Sequence, residues 1–187
     1  LEIEVRMQLR GKLSDRVMGI TKYIKLFLYA ILFAAAAYWG YAAVWGLAMA
    51  PMIGTYLKID PGIVFQAFLI TAVTFGATSL AGYVTKRDLS GFGGFFMMAS
   101  IGIIVAILIN AFFVQSSMMS LIVSIITVLL FAGVTAYETQ IIKQMYVEGD
   151  AAGVAKGKSI FGAYMLYGSF VTLFINILNI LGIVRQN

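Results

Sequence analysis

Glu138 is the carboxylate best placed to do chemistry in this chain. It lies in the run Phe131–Tyr146 (FAGVTAYETQIIKQMY), where a long apolar segment turns polar. An ionisable group inside an apolar medium is costly and tends to mark a functional position; at the edge of that medium the same group is solvated and structural. Position alone leaves both readings open. Lys143 follows five residues later, which is not the i,i+4 spacing of a helical ion pair. A second feature is the set Ser169, Thr172, Asn176 and Asn179, which steps by three, four and three. That spacing draws a polar stripe along one face of an otherwise apolar helix. Such a stripe either joins helices by hydrogen bonds or lines an ion path, and Asn110, alone in another apolar run, has the same two readings. Glu138, Ser169 and Thr172 are the candidates for an ion pathway or sensor. Asn110, Asn176 and Asn179 are the candidates for polar helix packing.

The residue inventory narrows the chemistry. Histidine and cysteine are both absent. With them go the commonest metal ligand, the commonest general base, thiol catalysis and cysteine-held clusters. No paired carboxylates and no Ser–His pair appear within the apolar segments, so neither an enzyme, a metal site nor a cofactor is expected. Asp88 and Asp150 read as turn formers. The run Gly91–Gly94 (GFGG) lacks the strand and lysine of a phosphate loop.

The elements that must position these residues are five uncharged apolar stretches, approximately Leu26–Ile53, Ile63–Val84, Phe92–Val114, Met119–Tyr137 and Ile160–Val184. Each approaches or exceeds the ~20 residues with which a helix crosses the hydrocarbon core. Hydrophobic residues make up 61% of the chain and charged residues only 11%, against about 25% charged in soluble domains. The expected fold is therefore all-α: a polytopic transmembrane helix bundle of about five spans over residues 26–187. It is preceded by a charged segment, residues 1–25, read as amphipathic on the membrane surface or irregular. The chain begins at Leu1 and its first 25 residues carry nine charges, so a truncated start is expected.

Turn signals in Gly54–Gly62 (GTYLKIDPG) and Thr85–Gly91 (TKRDLSG) separate the first three spans. A flexible loop is expected over Lys143–Lys158. Ala72/Gly76, Ala77/Ala81 and Gly102/Ala106 are small-xxx-small pairs that permit close helix approach. Trp39 and Trp45 lie within the first span rather than at its ends, which points to packing against other helices. With the N-terminus in the cytoplasm, eleven of the thirteen lysines and arginines fall on the cytoplasmic side, leaving Lys58 and Arg185 outside. That is the positive-inside distribution. The net charge of +5 follows from it, so no nucleic-acid partner is inferred.

Three stretches resemble the Bax inhibitor-1 family, in its bacterial YccA/YbhL-like branch. They are Gly76–Gly94 (GATSLAGYVTKRDLSGFGG), Ala136–Gln140 (AYETQ, where the family reads A-Y-D-T-Q) and Gly162–Phe174 (GAYMLYGSFVTLF). The resemblance covers about residues 38–183. It implies the last five helices of a seven-helix fold, with the first two absent or replaced by residues 1–25. It implies a bacterial inner (plasma) membrane location. It further implies a pH-sensitive calcium leak, with the lipid bilayer, the calcium ion and a membrane AAA protease as partners. The family's sensor is a pair of aspartates on the last two helices, and by this resemblance they fall on Glu138 and Ser169. Thr172 stands where the family has asparagine. The first position keeps a carboxylate one methylene longer and the second has lost its charge. The arginine that pairs with the sensor lies on a helix this chain lacks. The function so implied is a weak cation leak with altered pH gating. The competing expectation is a non-conducting membrane interaction protein, such as a regulator of a membrane protease.

Overall fold

The computed structural model describes the backbone of residues 2–186 and the side chains of residues 19–185 apart from 20, 31 and 34. Five helices follow in order: α1 Glu2–Ile59, α2 Pro61–Val84, α3 Gly93–Ile109, α4 Ser117–Met145 and α5 Ala152–Gln186. A 3-10 turn, Ser90–Phe92, leads into α3, and a π-type turn, Asn110–Val114, leads out of it. Among the described residues there is no strand. Among the described residues, five helical stretches are long and apolar enough to cross a membrane: Thr21–Ile59, Pro61–Val84, Ser90–Val114, Ser117–Met145 and Ala152–Arg185.

The chain forms two compact units, Leu1–Ala42 and Ala43–Asn187. In the first, which holds Trp39, the described residues are helical throughout. All further contacts described here lie within the second unit.

The packing of that unit is inverted relative to a soluble domain. Large apolar side chains face outward, among them Leu47, Phe95, Phe112 and Phe113. Small hydroxyl residues lie inside: Thr71, Thr127, Thr135, Ser124 and Ser169 are all nearly inaccessible. In lipid the backbone must satisfy itself, and an apolar outer surface costs nothing. The inward threonines return their hydroxyls to the carbonyl one turn back: Thr71 to Ala67, Thr127 to Val123 and Thr135 to Phe131, each at 2.7 Å.

α4 packs along α5, and α2 packs on both. The apolar core joins Met49 of α1, Ile63 and Ala67 of α2, and Val171, Phe174, Ile177 and Leu178 of α5, with Trp45 packed against it. Phe170 of α5 fits between Phe68 and Phe75, two turns apart on α2, with ring centroids 6.0 and 5.4 Å away. The close approach between α2 and α4 occurs at Gly82, where a Cβ would run into the backbone of Ala136. It does not occur at Gly76, where a Cβ would meet nothing within 4 Å; the same is true of Gly102. The small-xxx-small pairs thus predicted close packing on faces that remain open.

Two segments expected as loops are shorter. α1 continues through Gly54 to Ile59, and the break falls at Asp60. Asp60 caps α2 by accepting from the Gly62 N–H at 2.8 Å, and Pro61 supplies the preset first residue. Asp60 also forms an ion pair with Arg185 at the far end of α5. The expected loop Lys143–Lys158 reduces to residues 146–151, because α4 runs to Met145 and α5 starts at Ala152. Ala152, Val154, Ala155 and Lys156 are tolerant of helix, and Gly153 and Gly157 are absorbed into it.

Candidate functional site

α4 and α5 run antiparallel, and their shared face carries most of the polar side chains singled out above. Near the Met145 end of α4, Ser169 Oγ donates a hydrogen bond to Glu138 Oε2 at 2.7 Å. Ser169 is 2% exposed, and Glu138 is half-buried beside it. The packing of α4 along α5 brings the two side chains together. Toward the Ser117 end, Asn179 Nδ2 donates to Ser120 Oγ at 2.9 Å and to Ser124 Oγ at 2.8 Å. The helices are therefore clasped at two levels, 10 residues apart on α5, or ~15 Å at 1.5 Å per residue.

The remaining candidates do not join these clasps through the bonds they make. Thr172 Oγ1 donates to the Gly168 carbonyl at 2.9 Å, and Asn176 Nδ2 donates to the Thr172 carbonyl at 2.8 Å. Both bonds stay within α5. Asn110 also fails to bridge helices. Its Oδ1 accepts from the Ser116 N–H at 3.0 Å and its Nδ2 donates to the Ser116 carbonyl at 3.2 Å. It thereby closes the turn between α3 and α4, where Gln115 takes a left-handed conformation with φ 50°. Asn110, Asn176, Asn179, Ser120 and Ser124 line a cavity of about 330 Å³ at that end of the bundle. Among the described residues no group of three or more acidic side chains is placed to hold a metal ion.

Sequence reasoning missed Gln140 and gave Lys143 no partner. Gln140 is buried. Its Oε1 accepts from the Leu89 N–H at 2.7 Å and its Nε2 donates to the Arg87 carbonyl at 2.8 Å. One side chain thus binds the Thr85–Leu89 connection through both of its functional ends. The contact joins two of the stretches quoted above, TKRDLSG and AYETQ. Lys143 turns away from Glu138. Its Nζ donates to the Tyr83 carbonyl at 2.9 Å and lies 4.6 Å from the centroid of the Tyr83 ring. Within the same connection, Asp88 Oδ1 accepts from the Ser90 N–H at 2.9 Å. That bond holds the exposed Asp88 carboxyl below its ordinary value of 3.8.

Residues 19–186 match the family model described as inhibitor of apoptosis-promoting Bax1. Over 121 residues the chain is 46% identical to an uncharacterized protein of Deinococcus radiodurans, covering 65% of this chain and 52% of that protein. It is 45% identical over 119 residues to inner membrane protein YbhL of Escherichia coli, covering 63% of this chain and 50% of YbhL. An uncharacterized membrane protein of Streptococcus pyogenes is 44% identical over 119 residues, which is 64% of this chain and 51% of that protein. The chain spans about half the length of the curated relatives it matches. With the family model matched over nearly all of its residues, and with helices able to cross a membrane, the chain is a membrane protein that belongs to the Bax inhibitor-1 family.

Proposed function

We propose that this chain is a cation-leak protein of the bacterial inner membrane, with its N-terminus cytoplasmic, in which the gating pair is reduced to one carboxylate. The supporting observation is the bond between Ser169 Oγ and Glu138 Oε2 at 2.7 Å. The positions that hold two acids in the resembling family meet here as an acid and an alcohol. Two carboxylates in one site exchange protons in coupled steps, whereas a carboxylate beside a hydroxyl titrates alone. Calcium, a hard cation, favours several oxygen ligands including carboxylates. One lost carboxylate weakens both the cation site and its pH response. A relative named as an inner membrane protein supports the location.

The second reading is a non-conducting interaction protein, such as a regulator of a membrane protease. The observation favouring it is that Glu138 is engaged by Ser169 while Thr172 and Asn176 are engaged within their own helix. Side chains so engaged fit a packing role as well as an ion path.

Calcium flux into liposomes at several pH values separates the two. The unmodified chain should show little pH-dependent leak, Ser169→Asp should restore part of it, and Glu138→Gln should abolish what remains. Strong pH-gated flux in the unmodified chain, unchanged by Glu138→Gln, overturns the first reading. Absence of protein-dependent flux in all three proteins favours the second.

A further inference from the structure

A different cavity, of about 530 Å³ and with two lysines in its lining, opens where α2 and α4 end and α5 begins. Tyr83 lines it from the last turn of α2, Lys143 and Tyr146 from the end of α4, Asp150 from the connection, and Lys158 and Ser159 from the start of α5. Its two ammonium groups are held in place. Lys143 donates to the Tyr83 carbonyl and lies over the Tyr83 ring, and Lys158 Nζ pairs with Asp150 Oδ2 at 2.6 Å. An ammonium group has three N–H donors, so one such bond leaves donors for a ligand on each. The beginning of α5 adds partial positive charge from its N-terminal amides. Lys86 and Arg87 stand exposed on the connection that follows Tyr83.

The place of this cavity in the fold points to its occupant. It lies at the ends of three helices long and apolar enough to span a membrane, and the ends of such helices emerge among lipid headgroups. Tyr83 and Tyr146 are 55% and 73% exposed there, as amphipathic rings at a membrane boundary are. Within a turn of the lining residues, on the span side, Leu80 of α2 and Phe161 of α5 are exposed apolar side chains suited to acyl chains. Basic pockets between spans, at that level, suit anionic headgroups.

We propose that this cavity binds the headgroup phosphate of an anionic phospholipid, with Lys143 and Lys158 as its contacts and Asp150 as a competing anion for Lys158. This site is separate from the Glu138–Ser169 clasp and does not depend on ion conduction.

The test uses the full chain in an uncharged detergent, titrated with phosphatidylglycerol, with phosphatidylcholine of the same acyl chains, and with inorganic phosphate. Bound lipid is counted by native mass spectrometry. Phosphatidylglycerol should be retained and phosphatidylcholine should not, and inorganic phosphate at equal concentration should fail to displace the lipid. Lys143→Gln should weaken binding about fivefold, the weight of one basic side chain near an anionic surface, and Lys143→Arg should retain it. Lys158→Gln should weaken it further, because Asp150 is then unpaired. Asp150→Asn should strengthen binding, a direction that loss of a merely structural ion pair would not give. Lys58→Gln, outside the cavity, should change nothing. Equal retention of the two lipids, displacement by inorganic phosphate, or lysine variants that bind like the parent would each overturn the proposal, as would weaker binding by Asp150→Asn.

Discussion

Ser169 donates its hydroxyl proton to Glu138 across the α4–α5 interface at 2.7 Å, and this bond joins two helices through side chains alone. A bond to an ionisable group that also loses its partner on truncation is worth about 1–3 kcal/mol. Bonds between membrane helices fall toward the lower end of that range. Ser169→Ala should therefore destabilise the detergent-solubilised chain by about 1 kcal/mol, read as a lower midpoint in thermal unfolding. Ser169→Thr, which keeps the hydroxyl, should recover most of the loss. Equal midpoints for Ser169→Ala and the parent would show that the bond carries no net stability.

Gly82 and Gly76 are both on α2, six residues apart, and they should respond in opposite directions to alanine. At Gly82 the new methyl meets the Ala136 backbone, which cannot step aside without parting α2 from α4. Overpacking of that kind costs about 1–3 kcal/mol. At Gly76 the methyl enters open space, and the helix gains about 0.5–1 kcal/mol from the alanine backbone. Thermal unfolding of the two variants side by side decides it. A Gly82→Ala protein as stable as the parent would mean that the two helices do not touch there.

Gln140 holds the Thr85–Leu89 connection at two backbone positions, and Lys86 and Arg87 within it are exposed. Gln140→Ala removes both bonds, each worth about 1 kcal/mol. Trypsin should then cut the purified protein after Lys86 or Arg87 roughly thirtyfold faster, as follows if local opening becomes easier by the free energy of both bonds. An unchanged cleavage rate would place the restraint elsewhere.

The spans were legible because charge is excluded from lipid, and five uncharged apolar runs admit few other readings. Their ends were not. The glycine at position 54 signals a turn in water, yet in lipid an unsatisfied backbone favours continuing the helix; only the Asp60–Pro61 pair, which supplies both a cap and a preset first residue, ends it. The stretches that led to Glu138 and Ser169 lie on helices whose side chains do meet. Spacing could not reveal which faces close, so Gly76 and Gly102 drew notice and Gly82 did not. Lys143 was weighed only against its neighbour in sequence. Its partner, the Tyr83 carbonyl, is sixty residues away and is a backbone group that carries no signature in the residue pattern.

Asp88 supplies a pH dependence outside the membrane. Its folded value lies below 3.8 because the Ser90 amide and side chain favour the charged form. The contribution of that turn is present in full well above 3.8 and is lost as pH falls through the lowered folded value. The Ser90 amide proton resonance, followed in detergent by nuclear magnetic resonance, should hold its position from neutral pH to about 5 and move only in stronger acid. In Asp88→Ala it should show no such transition. Movement between pH 7 and 5 would assign the bond to another group.

The six-residue connection between α4 and α5, together with clasps near both ends of their contact, has a consequence for biogenesis. Membrane helices form singly and associate afterwards. Here the two that share the most contact among the described residues are also joined by a short connection, so each finds the other at high effective concentration once both have left the insertion machinery. The hairpin can mature as a self-sufficient unit, and α2 then docks onto a surface already assembled, with Gly82 and Phe170 marking where it lands.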